Sequence, residues 1–316
     1  MRMMLKFVLL LALLPACHQK IVGPPRDWAQ HPAFVDVSPT KAPLWALSDV
    51  HGGYDRLVAL LRGNGILDAG LHWSGGQGTL LVVGDLIDKA NRGLPVLDLL
   101  MALEGEAAAA GGRVVVCMGN HEAEFLADPW TGKAKPFSAE LRSRGIEPGD
   151  VARGQPPYGP WLRNLPFGVR SGDWFFAHAG NTAGLTIEAL AARIQSGVDR
   201  DDFATDALIG SDSVLESQKW WEGGFADAVD PLSIVRQNLS ALGVQHIVFG
   251  HDPGAFHPSG VISARFGATL LRIDTGMSPA VNLSEGALLL LDRSSGKSVA
   301  SARLPNGNST ELYRDP

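Results

Sequence analysis

The chain has few cysteines and no apolar run long enough to cross a membrane. Cys17 and Cys117 are its only cysteines among 316 residues, which excludes a framework of several disulfides. The apolar run over residues 7–14 is too short for a membrane span. The chain also has no long stretch of basic residues, and its net charge is −6. This charge pattern argues against nucleic acid as the main partner.

The N-terminus has the features of an export signal. Arg2 and Lys6 flank the start of the apolar run, and Leu-Pro-Ala-Cys over residues 14–17 resembles a bacterial lipobox. This resemblance predicts that residues 1–17 are a lipoprotein signal peptide and that Cys17 is lipidated. The protein would then be exported to the bacterial cell envelope, anchored to a membrane by lipid and facing the periplasm. Secretion with cleavage at another position is the alternative.

The chain is long enough for a large hydrophobic core in one or two domains, and its length does not distinguish these. Hydrophobic residues make up 45% and charged residues 19%, as in globular proteins. Residues 18–43 are polar and contain proline, so we expect a tether there. The domain is predicted over residues 44–293, followed by a loose polar tail over residues 294–316. Cys117 lies in an apolar strand pattern and is expected to be a small buried hydrophobe.

Short apolar strands alternate with amphipathic helices in the first half of the domain. Strand patterns over residues 44–47, 79–83 and 113–118 enclose helical patterns near residues 57–61 and 95–110. This β-α-β-α-β order predicts neighbouring parallel strands in an α/β core.

The second half of the domain contains more strands and two accessory segments. Strand patterns end near residues 177 and 249, and closing strands are expected near residues 269–273 and 287–291. Residues 128–160 are rich in proline, glycine and charge and are interpreted as an inserted surface loop. Residues 196–230 carry many aspartates and two tryptophans and are interpreted as a cap.

Each main strand pattern is followed directly by a polar cluster. Since the carboxyl ends of parallel strands meet at one edge of a sheet, these side chains should converge. They offer nitrogen and oxygen donors without thiolates, which suits Mn, Fe or Zn better than Mg or Ca. The candidates are Asp49, His51, Asp85, Asp88, Asn120, His121, His178 and His251.

The order of these clusters resembles that of a known superfamily. Asp-x-His-Gly, Gly-Asp-x-x-Asp, Gly-Asn-His-Glu, His-Ala-Gly and Gly-His follow one another between residues 49 and 251. This order resembles the calcineurin-like metallophosphoesterases, and within them most nearly the bacterial and Shewanella-like phosphoprotein phosphatases. The resemblance implies an α/β fold, a four-layer α/β/β/α sandwich in which two sheets pack face to face with helices outside.

The resemblance also implies a site for two transition metal ions, whose identity among Mn, Fe and Zn the sequence leaves open. A hydroxide bridging the ions would attack phosphorus in line. The implied ligands are Asp49 and His51 for the first ion, Asp85 for both, and Asn120, His178 and His251 for the second.

His121 and Asp88 have a different implied role. His121 would be the general acid that protonates the leaving alkoxide, and Asp88 would orient it. The chemistry agrees with this role, since an alkoxide is a poor leaving group and histidine titrates near neutral pH. A neighbouring carboxylate favours the charged imidazole.

The phosphate-binding cation departs from the family pattern. The relatives have arginine directly after the second aspartate of Gly-Asp-x-x-Asp, whereas this chain has Lys89. Lys89 keeps the charge without the bidentate fork, and Arg92 could reach back from a longer loop. Arg163 is a further candidate. His257 could substitute as a ligand of the first metal but is interpreted as a loop residue.

The predicted function is therefore metal-dependent hydrolysis of a phosphomonoester, as a phosphoprotein phosphatase acting on phospho-Ser/Thr or phospho-Tyr. Two alternatives stay open at this stage. One is a phosphoesterase for small molecules, such as a nucleotidase or a dinucleoside-polyphosphate hydrolase. The other is a non-catalytic binding module of the envelope.

Overall fold

The structure is a computed structural model that describes residues 21–222 and 230–316. Cys17 and the predicted cleavage site lie outside the described residues. In the part of the chain that is described, no helix combines the length and the apolar character needed to cross a bilayer.

Two six-stranded mixed sheets form the centre of the molecule. The first, sheet A, has the order β1-β5-β6-β7-β9-β8, and the second, sheet B, has the order β12-β11-β10-β2-β3-β4. Strands β2, β3 and β4 are parallel, as are β6, β7 and β9. The strands are β1 Phe34–Asp36, β2 Leu44–Leu47, β3 Thr79–Val83, β4 Arg113–Cys117, β5 Gly168–Ser171, β6 Trp174–Phe176, β7 His246–Phe249, β8 Ser263–Arg265, β9 Leu270–Arg272, β10 Leu288–Asp292, β11 Val299–Arg303 and β12 Ser309–Arg314.

Helices connect the parallel strands, as the alternating pattern predicts. Helix α1 joins β2 to β3, and α2 joins β3 to β4, so the first half is a β-α-β-α-β unit. The helices are α1 Tyr54–Gly63, α2 Gly93–Ala109, α3 Asn120–Ala127, α4 Lys135–Ser143, α5 Pro148–Ala152, α6 Gly159–Arg163, α7 Ile187–Asp201, α8 Asp206–Ile209 and α9 Pro231–Leu242.

Successive side chains of a strand point to opposite faces of the sheet, and this alternation explains how the sheets and helices form layers. In β3, Leu81 and Val83 belong to a core that also contains Phe176 and Val248 of sheet A, so this face packs against the other sheet. The intervening Leu80 and Val82 belong to the core formed with the helices. A strand buried on both faces reads as a continuous apolar run, which is the pattern in the sequence. The predicted α/β fold with two packed sheets and outer helices is confirmed.

The predicted loose tail is corrected by the structure. Strands β11 and β12 extend sheet B from β10 as antiparallel neighbours. Ala300 is fully buried in the core between the sheets, and Tyr313 contacts the stacked rings of Trp174 and His246. The sequence conceals this because β12 is an edge strand with mostly exposed side chains, so its composition is polar.

The predicted tether is also docked on the domain where the structure describes it. Strand β1 pairs in parallel with β5. The Arg26 guanidinium donates to the carbonyl oxygens of Arg163 and Leu165 at 3.0 and 2.9 Å and lies over the ring of Phe167. The Gly23 amide donates to the Asp202 carboxylate at 3.1 Å. Residues 21–37 are therefore part of the folded domain.

The two accessory segments contain helices. The segment over residues 128–160 includes α4 and α5. Phe137 and Leu141 of α4 are fully buried, so the segment is more than a surface loop. The segment over residues 196–230 is described up to residue 222. Trp220 and Trp221 are buried there, and the Trp221 ring lies 5.1 Å from that of Phe249. Residues 223–229 lie outside the described part.

Candidate metal centre

The polar residues that follow the strands lie together at one edge of the two sheets. Each follows the carboxyl end of a parallel strand, and short parallel strands deliver such residues to a common crevice. Two come after β2, two after β3, two at the start of α3 after β4, and one each after β6 and β7; they are Asp49, His51, Asp85, Asp88, Asn120, His121, His178 and His251.

The backbone of this crevice is held in an uncommon conformation. The φ angles of Asp49, His51, Asp85, Asp88 and His251 are 55°, 45°, 57°, 65° and 67°. Non-glycine residues rarely adopt positive φ, and such strain concentrates at functional sites. Neighbouring contacts must therefore hold these loops in place.

Two glycines allow the loops to approach one another. A Cβ atom on Gly119 would overlap the Asp85 carboxylate, and a Cβ atom on Gly250 would overlap the Asp49 carboxylate. No residue larger than glycine therefore fits at the first position of the Gly-Asn-His-Glu and Gly-His motifs without moving these carboxylates.

Asp85 lies at the centre of the site and is almost fully buried. Its Oδ2 is 3.2 Å from His51 Nε2 and 4.0 Å from His121 Nε2, while its Oδ1 is 3.3 Å from His178 Nε2. Burial disfavours the ionised form, but the three imidazoles outweigh burial and hold the pKa of Asp85 well below its usual range. Asp85 is therefore a carboxylate between two groups of histidines.

Backbone carbonyls determine which nitrogen of two histidines faces the site. His51 Nδ1 lies 2.9 Å from the carbonyl oxygen of Ile87, and His178 Nδ1 lies 2.9 Å from that of Val83. A carbonyl only accepts, so each Nδ1 donates, and in the neutral ring Nε2 keeps a lone pair directed toward Asp85. Metal-binding histidines are oriented in this way.

His51 in particular is suited to bind a cation. Burial lowers its pKa to about 3, so the ring is neutral. Its Nε2 is buried and makes no hydrogen bond within the described residues. A buried polar atom without a partner is unusual and points to a ligand that completes it.

Two sets of donor atoms converge, and Asp85 belongs to both. His51, Asp85 and His121 each offer an atom within 4.8 Å of the other two, and so do Asp85, His178 and His251. Asn120 joins the second set, since its Oδ1 lies 2.9 Å from His178 Nε2 and 3.2 Å from His251 Nδ1. The donor set therefore fits metal ions of the kind that imidazole and carboxylate bind.

Asp49 lies at the margin of the first set. Its two carboxylate oxygens accept from the His251 backbone amide at 3.2 and 3.0 Å, and its Oδ1 is 3.9 Å from His51 Nε2. Burial raises the pKa of this carboxyl group.

The potential of the crevice favours positive charge. Burial alone would lower the pKa of His178, but the carboxylates of Asp85 and Asp49 outweigh it and raise that pKa to about 10. The same field that stabilises a proton on His178 stabilises a metal ion.

His121 and Asp88 form a buried pair beside the donor atoms. His121 Nδ1 and Asp88 Oδ2 are 3.0 Å apart. Burial lowers the pKa of His121, but the Asp85 and Asp88 carboxylates outweigh it and raise the pKa above its ordinary value. Asp88 is held in turn by the Phe137 amide, which donates to its other oxygen at 3.1 Å. Helix α4 of the inserted segment thus braces the pair.

Glu122 is a site residue to which the sequence analysis gives no role. Its buried carboxylate accepts the amides of Asp85, Leu86 and Gly119 at 2.9, 2.8 and 2.9 Å. Burial raises its pKa to about 7. Glu122 therefore ties the Asp85 loop to the start of α3. Its place as the last residue of Gly-Asn-His-Glu is the one signal in the sequence that could have identified it.

The three candidate phosphate-binding cations differ in their surroundings. Lys89 lines a cleft of about 440 Å³ together with Asp85, Asn120, His121 and other residues. Arg92 is half-buried, lies over the Tyr54 ring and pairs with Asp55 at 2.5 Å.

The prediction for Arg163 is corrected. Its guanidinium is buried and paired with Asp202 at 2.6 Å, and it also donates to the Ala152 carbonyl at 2.9 Å. Arg163 is a structural support for the N-terminal segment and is committed to protein partners. His257 is exposed in the loop after β7, as a plain loop residue would be.

Comparison with protein families identifies the class to which this fold and site belong. The model of the calcineurin-like phosphoesterases matches residues 42–255, which include all the motif clusters. The chain therefore belongs to the calcineurin-like phosphoesterase family, metal-dependent hydrolases of phosphoric esters, and the predicted family, fold and enzyme class are confirmed.

Shewanella-like phosphatases are among the similar proteins. A stretch of 79 residues is 34% identical to Shewanella-like protein phosphatase 2 of Arabidopsis thaliana and covers 25% of this chain and 20% of that protein. Shewanella-like protein phosphatase 1 of Plasmodium berghei (strain Anka) is 24% identical over 257 residues, covering 76% of this chain and 68% of the relative.

Solved structures of cold-active protein tyrosine phosphatase share the fold. A mutant form superposes with a TM-score of 0.69 at 25% identity and covers 89% of this chain and 82% of the other. The enzyme of a psychrophilic Shewanella species gives a TM-score of 0.66 at 24% identity over the same shares of the two chains.

Proposed function

We propose that the protein is a phosphoprotein phosphatase that hydrolyses phospho-Ser/Thr or phospho-Tyr with a pair of transition metal ions. The observation that carries the proposal is the Asp85 carboxylate, shared between two convergent sets of donors with the His121–Asp88 pair beside them. The likeness to Shewanella-like protein phosphatases and to a protein tyrosine phosphatase supports the choice of a phosphoprotein as substrate.

The resemblance to the family, together with the positions of the donor atoms, indicates which residues would hold the ions. Asp49, His51 and Asp85 would hold the first ion. Asp85, Asn120, His178 and His251 would hold the second. When bound, the ions would supply Lewis-acid stabilisation of the charge that develops on the phosphoryl oxygens.

His121 would act as the general acid. Its Nδ1 donates to Asp88, which leaves the Nε2 proton free to move to the leaving oxygen of the substrate. Asp88 fixes the ring and stabilises its charged form. Lys89 would bind the phosphate, because it is the one predicted cation that is exposed in the cleft without a charged partner in the contacts described.

The proposal also includes a membrane anchor. The lipobox-like sequence motivates lipidation of Cys17, in an envelope protein that faces the periplasm. Three residues separate Cys17 from Ile21, where the docked segment begins. Cys17 and Ile21 are thus four residue steps apart, which span at most roughly 14 Å. A lipid on Cys17 would therefore hold the domain beside the bilayer.

Metal-dependent turnover is the first expected result. Purified protein should hydrolyse para-nitrophenyl phosphate, lose this activity with a chelator and regain it with Mn²⁺. Phosphopeptides should be hydrolysed with a higher kcat/KM than nucleotides or dinucleoside polyphosphates. Preference for nucleotides would replace the proposed substrate class, whereas metal-loaded protein that is inert toward all of these esters would contradict catalysis.

Replacement of His121 separates its two possible roles, since the donor atoms of His121 also lie near those of His51 and Asp85. As a general acid, His121→Asn should lower kcat by about 100- to 1,000-fold and leave Mn²⁺ affinity nearly unchanged. Isothermal titration calorimetry and steady-state kinetics measure the two quantities. Loss of metal binding in step with activity would make His121 a ligand instead.

Lys89 and Arg163 should respond in opposite ways. Lys89→Met should lower kcat/KM by about 10- to 100-fold through the loss of a charge-assisted hydrogen bond to phosphate, with an unchanged free energy of unfolding. Arg163→Met leaves the buried Asp202 carboxylate without its cation, so it should lower the free energy of unfolding by about 3–5 kcal/mol. Urea denaturation and kinetics distinguish them. A Lys89→Met variant with full kcat/KM would remove Lys89 from the site.

The anchor is tested by labelling cells with a palmitate analogue. The wild-type chain should incorporate the label and fractionate with membranes, whereas Cys17→Ala should do neither. A labelled Cys17→Ala variant, or a wild type without label, would exclude lipidation at Cys17.

A further inference from the structure

The side-chain amide of Asn120 must be oriented before it can bind a metal ion. Its Oδ1 faces His178 Nε2 at 2.9 Å and His251 Nδ1 at 3.2 Å, while its Nδ2 donates to Glu216 Oε1 at 2.9 Å. The two ends of an amide have nearly the same shape, and only the oxygen can be a metal ligand. An outside partner must therefore decide which end faces the donor set.

Glu216 has the chemistry to make that choice. An ionised carboxylate only accepts hydrogen bonds, so it pairs with the NH₂ end of Asn120 and disfavours the flipped amide. Resting on the proposed metal-dependent function, we propose that Glu216 is a positioning residue, which fixes the Asn120 oxygen toward the metal.

The position of Glu216 is itself built into the fold. It lies in the turn after α8, where its backbone amide donates to Ser213 Oγ at 3.0 Å. Its side chain is 16% exposed, and Lys133 Nζ lies 3.5 Å from its Oε1. Lys133 also pairs with Glu124 at 2.5 Å. Side chains of both accessory segments therefore meet at Glu216, which in turn bonds Asn120.

Lys133 explains how the acidic Glu216 can line the cleft in which the phosphate would bind. Glu216 and Lys133 both line the cleft. A carboxylate alone would repel a phosphate dianion. The Lys133 ammonium, which is shared between Glu216 and Glu124, offsets part of the negative charge while the Glu216 Oε1 stays bonded to Asn120.

Metal affinity is the direct readout, measured by calorimetric titration of Mn²⁺ into metal-free protein. Glu216→Ala should weaken one class of bound Mn²⁺ by about 10- to 100-fold, the usual effect of losing a partner that orients a ligand. Glu216→Gln retains an oxygen acceptor and should bind within about threefold of wild type. Glu285→Ala removes an exposed acid elsewhere and serves as the matched control. If Glu216→Ala does not fold, Glu216→Met supplies a side chain of similar length without the oxygen.

The Asn120→Asp variant tests whether Glu216 acts by orienting the Asn120 amide or only by supporting the structure around it. In Asn120→Asp both terminal atoms are oxygens, so orientation no longer matters. Adding Glu216→Ala to that background also removes a like charge beside the introduced carboxylate, so Mn²⁺ affinity should not fall. Equal losses in both backgrounds, or unaltered affinity in Glu216→Ala alone, would overturn the inference. A wild-type protein that binds no Mn²⁺ would instead contradict the proposed function.

Discussion

A buried carboxylate surrounded by imidazoles is the constraint on which this structure depends. Asp85 is 1% exposed and has two histidine nitrogens within 3.3 Å of its oxygens. A lone buried charge is strongly unfavourable, so the fold must bring compensating groups to it from several strands. The meeting of both sheets at one edge accomplishes this. The loops after β2 and β3 carry His51 and Asp85, and the loop after β6 carries His178.

The same constraint explains the supports around the site. A second buried acid, Glu122, lies close by, and four backbone amides of residues 85–87 and 119 donate to it. Those amides belong to loops whose aspartates have positive φ. The hydrogen bonds offset the cost of burying Glu122 and hold a strained backbone in place. Accessory segments add a further layer, with Phe137 bracing Asp88 and Glu216 bracing Asn120.

Prediction from the sequence succeeded where a local pattern determines position. Asp49, Asp85 and His178 each follow a short apolar strand, and parallel strands deliver such residues to one edge. It failed where a partner is distant in the sequence. Arg163 is a plausible phosphate ligand until Asp202, 39 residues away, is seen to pair with it. Glu216 lies 96 residues from Asn120 and belongs to no motif. The C-terminal strands escaped notice because an edge strand exposes most of its side chains.

We propose that two bound metal ions share Asp85, and the number of ions that each chain binds checks this. Elemental analysis of purified protein, after equilibration with Mn²⁺ and removal of free ions, should find two ions per chain. Asp85→Asn should lose both, since each donor set includes this carboxylate. Two ions retained by Asp85→Asn, or a single ion in the wild type, would contradict the account.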